Sequence, residues 1–412
     1  MEPKPISNSF NTQANGDTPD TPDRKANDNT NRAAETAAVI VTEGALLAAA
    51  KANKIDEARA LLQAGAKVNE VNSSNETALV LSLAHYSPPL TRLFLHFGAD
   101  VARFEEQQGK SLLSLLRHAD SNFHAEEEPL ACLLLDHGAA ADVKDNHGLP
   151  LISRYASLGM LQAVERVLEA GANPNAAGEN NRCSALYYAL TNNKQTVSII
   201  EALLKSGANP DGVEGETTPP LYTAVNNKNH AAAEALLKAG ANPDHAHTYT
   251  PLYAALKNND THMAQTLVAH GANPEQAMTG GLRALDMLVQ SNAAADVIET
   301  ALTLGFKADT CRLDEHAAPV ETALHLAVRH NRMDMINQML KHGADPLCVD
   351  GFGYTPLQLA HSLHGNENPI VDRLRLADGA ARVERERAIR AAAVDRPPAG
   401  NVPPTHRPPP KP

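Results

Sequence analysis

The sequence contains no tryptophan, and aromatic residues make up only 4% of it. Large aromatic side chains therefore cannot fill the core, which falls to Ala and Leu and favours thin, closely stacked helices. The four cysteines lie far apart and form no CxxC pair, so the sequence shows neither a disulfide framework nor a zinc ribbon. A reduced, cytoplasmic environment is the simplest expectation.

Long apolar runs are also absent. Near the start, the run Ala37–Val41 is stopped by Thr42 and Glu43, so we expect neither a secretory signal nor a membrane-spanning segment. Positive charge is in deficit, with 36 basic residues against 48 acidic ones and a formal net charge of −12. Because nucleic-acid binding needs Lys and Arg to neutralise phosphates, this charge favours a basic protein partner over nucleic acid.

The stretch Lys238–Ala255 contains the unit on which the chain is built. Gly240 follows the helical run AAAEALLKA, at a position that needs a left-handed cap. Thr250 supplies a side-chain oxygen for the start of the next helix, and Pro251 takes its first position, where a missing N–H costs nothing. The stretch therefore predicts the end of one helix, a finger-like turn and the start of another helix.

The same phrase recurs along most of the chain. A Gly-Ala pair or a close variant returns at spacings of 31 to 40 residues, most often 33. The glycines concerned are Gly65, Gly98, Gly138, Gly171, Gly207, Gly240, Gly271, Gly305, Gly343 and Gly379. Helix-opening phrases begin at Thr77, Ser184, Thr250, Thr322 and Thr355. A sustained period of this kind indicates stacked repeats rather than compact domains.

The phrases T-P-L-H-x-A and L-L-x-x-G-A-[DN] at a period near 33 are the signature of ankyrin repeats. The best matches are Thr322–Ala327 and Thr355–Ala360. The chain resembles an ankyrin-repeat protein over about residues 43–380, as about ten repeats. The resemblance implies an all-α ankyrin-repeat solenoid of stacked helix-turn-helix units, with β-turn fingers projecting from one edge, and we expect a monomer when no partner is bound.

Tyr187, Tyr222 and Tyr253 occupy the position that His325 holds in its own repeat. The resemblance implies that this position makes contacts between neighbouring repeats, so one such residue per repeat would form a ladder. Small residues lie two positions later and would let neighbouring helices approach closely. They are Ala189, Ala224, Ala255, Ala327 and Ala360. We interpret all of these residues as structural.

Composition divides the chain into four segments. Residues 1–36 are polar and are expected to form a disordered N-terminal tail, followed by the repeat array at 37–380. The last helix of the array is expected to end towards Gly379. The run within 381–396 is charged and predicts a separate terminal helix that covers the last repeat. Residues 397–412 are a Pro-rich disordered tail, whose triplet Pro408–Pro410 either stays flexible or adopts polyproline II and docks in an aromatic groove.

Two repeats depart from the pattern. The third carries surplus residues at Asp120–Glu128, which we interpret as a loop, with Pro129 starting the next helix. A later finger is lengthened through Thr310–Val320. These insertions at 120–128 and 310–320 leave open the alternative of an enzyme-like pocket built between them.

Catalytic and cofactor motifs are weak. Gly109-Lys110-Ser111 resembles the end of a phosphate loop, but Phe104 stands where the motif needs glycine. The pair His245 and His247 is close enough for a shared metal, yet no further ligand is identifiable. The triplet Asp314-Glu315-His316 offers an acid and a base without a pocket. We therefore predict no enzymatic activity, no cofactor and no metal site.

The variable fingertips remain as candidates for function. In ankyrin proteins partners usually dock on the fingers and the adjoining helix face. The residues presented there are Lys144, Asn146, His147, His245, His247, Tyr249, Val349, Phe352 and Tyr354. Tyr249, Phe352 and Tyr354 are the expected anchors, because exposed aromatics supply large contact areas, unless they pack along their own fingers. Neighbouring acidic residues favour a basic partner: Asp244, Asp314, Glu315 and Asp350.

The resulting hypothesis is a non-enzymatic scaffold for protein–protein interaction. The Ser/Thr/Asn/Pro-rich segment 1–36 is similar in composition to the export signals of bacterial effectors, which suggests secretion into a host cytosol without signal cleavage. An endogenous cytoplasmic scaffold or inhibitor remains the alternative.

Overall fold

The computed structural model describes residues 41–108, 111–116, 124–145, 147–178, 182–191, 196–245, 248–278, 282–309, 311–313 and 319–394. Within these ranges the chain forms ten helix pairs in two layers. First helices pack on the first helices of adjacent repeats, and second helices pack on second helices. The predicted segments 1–36 and 397–412 lie outside the described residues.

The first helices are α1 (Ala45–Lys51), α3 (Ala78–Ala84), the 3₁₀ helix Leu112–Leu115, α7 (Leu151–Leu158), α9 (Ala185–Thr191), α11 (Pro220–Asn226), α13 (Pro251–Lys257), α15 (Ala284–Gln290), α17 (Ala323–Arg329) and α19 (Pro356–His364). The second helices are α2 (Ile55–Gln63), α4 (Pro88–His96), α6 (His124–Asp136), α8 (Leu161–Glu169), α10 (Thr196–Lys205), α12 (His230–Lys238), α14 (Thr261–Ala269), α16 (Ala295–Thr303), α18 (Met333–Lys341) and α20 (Pro369–Val394). A further helix, α5 (Val101–Gln108), and a hairpin of β1 (Cys311–Leu313) and β2 (Pro319–Thr322) complete the described elements.

Helix ends follow the predicted caps. The hydroxyls of Thr77, Thr250, Thr322 and Thr355 each accept the backbone N–H three residues on, at the start of α3, α13, α17 and α19. Nine of the ten capping glycines have φ between 80° and 99°, which only glycine adopts without strain. The repeat phrase therefore encodes both ends of each unit.

The core is one continuous cluster that runs from Leu46 in the first repeat to Leu374 in the last. The small residues of the first helices lie inside it and are fully buried: Ala189, Ala224, Ala255, Ala327 and Ala360. Each unit is too thin to enclose its own apolar face, so it buries that face against its neighbours.

His325 shows how neighbouring repeats are tied together. Its ring is fully buried, its Nε2–H donates to the carbonyl of Tyr354 at 2.9 Å, and its Nδ1 accepts from the hydroxyl of Thr322 at 2.8 Å. The bond from Thr322 requires the neutral imidazole, because a protonated Nδ1 cannot accept, whereas either form of the ring can donate to Tyr354. Burial lowers the pKa of His325, against the smaller raising effects of the Tyr354 hydrogen bond and of Asp350.

A second set of hydrogen bonds joins the fingers. After six of the capping glycines, the residue four positions on accepts the N–H of the residue two positions after the next glycine. The pairs are Asn69–Asp100 (2.8 Å), Asp142–Asn173 (3.3 Å), Asn175–Asn209 (2.7 Å), Asp211–Asn242 (2.7 Å), Asp244–Asn273 (2.9 Å) and Glu275–Lys307 (2.9 Å). We call this set the finger ladder. It links neighbouring fingers through contacts that lie outside the helical core.

The third repeat differs from the prediction. Helix α6 begins at His124, so Pro129 lies inside the helix and the prediction that it starts there is wrong. Glu126 and Glu127 fall in the first turn, where negative charge favours a helix N-terminus. Residues 120–123 of the insertion lie outside the described part, and residues 124–128 belong to α6, so the prediction of a loop is wrong there. Helix α5 takes the place of the regular finger, and the carboxylate of Glu105 accepts the N–H of Ala140 at 2.8 Å.

The last helix also differs. Helix α20 continues through Gly379, so the prediction that it ends near this residue is wrong. Residues on both sides are good helix formers, and the side chain of Arg382 pairs with Asp378 at 2.7 Å one turn earlier. Residues 382–391 are exposed on every side, so this part of the helix does not cover the last repeat. Among the helices of the described residues, none is both long enough and apolar enough to span a bilayer.

Protonation of His325 should destabilise the array. The ordinary pKa of histidine is about 6.5 and the folded value is lower, so the stability contributed by the neutral ring is present above pH 6.5 and is lost as pH falls below it. We expect the urea midpoint of the wild type to fall between pH 7.5 and 5.5 by more than that of His325→Gln. The exposed His330→Gln variant is the control and should behave as the wild type. Equal pH dependence in all three proteins would contradict this role.

Loss of a rung of the finger ladder should loosen the next finger. We expect Asp211→Ala to lower the free energy of unfolding by about 1 kcal/mol and to speed hydrogen exchange of the Asn242 amide. Asp211→Asn should lose less, since Asn175 makes the same bond. The control is Glu234→Ala, which removes only an exposed ion pair with Lys238. Unchanged exchange at Asn242 in Asp211→Ala would show that the rung does not hold the finger.

Candidate functional site

The finger at 349–354 is a closed turn. The carboxylate of Asp350 accepts the N–H groups of Phe352 (2.9 Å) and Tyr354 (2.8 Å), and its own N–H donates to the carbonyl of Tyr354 at 2.9 Å. Gly353 completes the turn at φ 83°. Asp350 itself is buried, so its carboxylate serves the turn and does not reach the surface.

The same finger is fixed at its base from two sides. The carbonyl of Tyr354 accepts from the ring of His325, and the N–H of Gly351 donates to the carbonyl of Val320 in β2 at 2.8 Å. The lengthened finger predicted at 310–320 contains β1 and the start of β2. Its hairpin therefore supports the next finger, at 349–354. Asp314, Glu315 and His316 of that insertion lie outside the described residues.

Three large apolar side chains stand out from this rigid turn. Val349 is 54% exposed, Phe352 is 80% exposed and Tyr354 is 48% exposed. Elsewhere in the described residues, exposed large apolar side chains on the fingers are rare, and most of the others lie on α19 and α20. Phe352 and Val349 do not pack along their own finger, which leaves their surface available for a partner.

The finger at 144–150 has the same turn with a different surface. The buried carboxylate of Asp145 accepts from the N–H groups of His147 (2.8 Å) and Leu149 (3.0 Å). It also pairs with Arg154 at 3.3 Å. Lys144 and His147 are exposed, and Asn146 lies outside the described residues. This finger offers polar contacts only.

The finger at 245–250 is partly engaged with its own repeat. Tyr249 is half-buried and packs on Tyr253, with ring centroids 5.2 Å apart. The Nδ1 of His245 lies 3.7 Å from a carboxylate oxygen of Asp211, and His247 lies outside the described residues. Of the three predicted anchors, Tyr249 is thus the one that packs along its own finger.

The nine predicted contact residues do not form one compact patch. They belong to the fourth, seventh and tenth repeats. Since packed helices lie 8–10 Å apart, successive fingers of this set are about 30 Å from one another. A partner that contacts all three must be elongated, whereas a small partner would use one finger.

The described side chains of the insertion in the third repeat contact the two adjacent repeats. Glu126 pairs with Arg92 of the preceding repeat at 2.5 Å. Glu128 accepts the N–H of Gln162 at 2.8 Å, at the start of α8 in the following repeat. Across the residues that the structure describes, no three His, Cys, Asp or Glu side chains are grouped so that they could hold a metal ion. These carboxylates join repeats and do not converge on a reaction centre.

Sequence reasoning missed one feature between two fingers. A shallow pocket of about 170 Å³ lies between the sixth and seventh repeats and is lined by Thr217, Thr218, Pro219, Tyr222, Thr248 and Tyr249. The sequence pattern predicts a structural ladder at the tyrosine position, and the threonines lie next to helix caps, so neither indicates a pocket. The sequence signal for the pocket is that the dipeptides Thr217-Thr218 and Thr248-Tyr249 occupy the same place in neighbouring repeats, two residues before a helix.

Two segments of the chain match family models of a known repeat. A family model described as ankyrin repeats (3 copies) matches residues 193–278, and one described as ankyrin repeats (many copies) matches residues 313–360. A putative palmitoyltransferase ZDHHC13 of Danio rerio is 35% identical over 69 residues, which is 17% of this chain and 10% of that protein. The chain thus spans a small fraction of that relative.

Two solved structures are similar in outline. The ankyrin repeat domain of human ASB11 is 24% identical and aligns over 55% of this chain and 96% of that one, with a TM-score of 0.43. The ankyrin repeat domain of Bcl-3 is 20% identical and aligns over 54% and 97%, with a TM-score of 0.46. The two family matches identify the repeats within 193–278 and 313–360 as ankyrin repeats, and the period and the Thr and Gly caps show that the same unit recurs along the stack.

Proposed function

We propose that the array is a non-enzymatic scaffold that binds a protein partner mainly through the finger at 349–354. Ankyrin repeats generally mediate protein–protein interaction, and the observation that carries this proposal is the exposure of Phe352 on a turn closed by Asp350. A large aromatic side chain on a rigid turn binds without paying a large ordering entropy. Phe352 is the anchor, and Val349 and Tyr354 surround it.

The other fingers supply secondary contacts in this proposal. Lys144, Asn146 and His147 would add polar contacts at one end, and His245, His247 and Tyr249 would add contacts at the centre. The net charge of −12 favours a partner with a basic surface, because complementary charge speeds association and limits wrong partners. We propose that the unbound protein is a monomer, which sedimentation at two concentrations would test.

Truncating the anchor should remove binding without affecting folding. We expect Phe352→Ala to weaken capture of a partner from lysate at least tenfold, since buried aromatic anchors contribute about 2 kcal/mol or more. The matched control is Leu376→Ala, an equally exposed apolar side chain on α20 (73% against 80%). Quantitative mass spectrometry of cross-linked complexes measures both variants beside the wild type.

The two possible results are distinct. A partner lost with Phe352→Ala and retained with Leu376→Ala places the contact on the finger. A partner retained by both variants contradicts the choice of anchor while leaving the repeat array as it is.

We propose a secreted bacterial effector acting on a host protein as the biological setting, supported by the Ser/Thr/Asn/Pro-rich composition of residues 1–36. Deletion of 1–36 should abolish translocation of a reporter fusion, and deletion of 397–412 is the control of similar kind. Export that is unchanged by the first deletion would leave an endogenous scaffold or inhibitor as the better interpretation.

A further inference from the structure

The pocket between the sixth and seventh repeats has a definite chemistry. Tyr222 and Tyr249 are half-buried and contribute aromatic faces, and Tyr249 is backed by Tyr253. Thr217, Thr218 and Thr248 add hydroxyl groups, and the lining that the described residues supply is uncharged. Burial, and then the proximity of Tyr249, raises the pKa of Tyr222, so this phenol is a neutral donor near pH 7.

This chemistry suits a proline-rich segment in the polyproline II conformation. Proline rings pack on aromatic faces, and the helix is preformed, so docking costs little entropy. Its backbone presents carbonyl acceptors, which match hydroxyl donors, and the prolines bring no N–H groups that would need partners. The volume of about 170 Å³ holds one or two such rings.

Residues 403–412 of this chain, PPTHRPPPKP, have the required composition. Arg407 and Lys411 stand on either side of the triplet Pro408–Pro410. The two fingers that form the pocket carry Asp211, Glu214 and Asp244. The acidic side chains of these two fingers and the basic side chains of the segment are therefore opposite in charge.

The segment can reach the pocket from the end of α20. Every other second helix ends where a finger begins, so α20 runs towards the finger edge and continues past it to Val394. The pocket lies about three repeats from the last helix pair, or about 30 Å at the usual helix spacing. Pro408 follows Val394 by 14 residues, and 14 residues span about 43 Å when extended as polyproline II.

We propose that Pro408–Pro410 docks intramolecularly in the pocket formed by Tyr222 and Tyr249. The docked segment covers Tyr249 and competes with any partner that uses this finger, a consequence that rests on the proposed function above. The docking itself does not depend on the finger at 349–354 and is tested without any partner.

The test uses a fluorescent peptide of residues 403–412 and the full-length chain, followed by fluorescence anisotropy. In the wild type the attached segment competes at an effective concentration near 1 mM, so the peptide should bind weakly. A full-length variant with Pro408→Ala, Pro409→Ala and Pro410→Ala frees the pocket and should bind the peptide about tenfold more tightly.

Pocket variants in that triple-alanine background identify the site. Tyr222→Ala should abolish peptide binding, and Thr217→Arg, at an exposed position that does not threaten folding, should weaken it by steric and charge repulsion. Thr303→Arg, an exposed threonine on α16 away from the pocket, is the control and should leave binding unchanged. Thermal melts confirm that each variant is folded.

Three results of the peptide titrations would overturn the proposal. They are equal peptide affinity with and without the attached triplet, no peptide binding to the triple-alanine chain, and peptide binding that survives both Tyr222→Ala and Thr217→Arg. Self-association of the wild type that the triple-alanine change removes would assign the segment to a second copy and overturn the intramolecular docking. None of these results depends on the Phe352 finger.

Discussion

Contact between neighbouring repeats is the constraint on which the whole molecule depends. Each unit has two short helices and no core of its own, so its apolar face is buried only when the next unit is present. Fully buried alanines such as Ala224 and Ala255 show how close this approach is, because a larger side chain would force the layers apart. Stability is therefore shared along the stack, and a defect acts mainly on its own interface and the next.

Polar groups reinforce the same contacts. His325 joins two repeats by donating to the carbonyl of Tyr354, and its burial favours the neutral ring. The finger ladder joins the turns through side chains that accept backbone N–H groups. The ladder also survives irregular repeats: where α5 replaces a finger, Glu105 supplies the acceptor that Asn or Asp supplies elsewhere. The exposed residues of a finger held in this way differ from repeat to repeat while its backbone turn is kept. The residues that hold the turn are therefore distinct from those that face solvent.

The same division explains the two aromatic fingers. On the finger at 349–354, Asp350 satisfies the backbone internally and Phe352 is left in solvent. On the finger at 245–250, Tyr249 packs on Tyr253 and forms one wall of a pocket. Phe352 is therefore the proposed anchor for a partner, whereas Tyr249 is the proposed wall of a receptor pocket. What lies beside each aromatic decides which of the two roles we propose for it.

The sequence by itself determined the repeat, its caps and its core, because these depend on neighbours within a few residues: Thr250 caps the helix that it begins, and Gly240 ends the helix before it. Local rules failed at Pro129 and Gly379, where helix-forming neighbours and contacts along the helix outweighed the usual breakers. Only the tertiary structure decided which fingertip side chains are free, since exposure depends on residues about 30 positions away, such as the carbonyl of Val320 under Gly351. The pocket of Tyr222 and Tyr249 was decided in the same way, because it exists only between two stacked repeats.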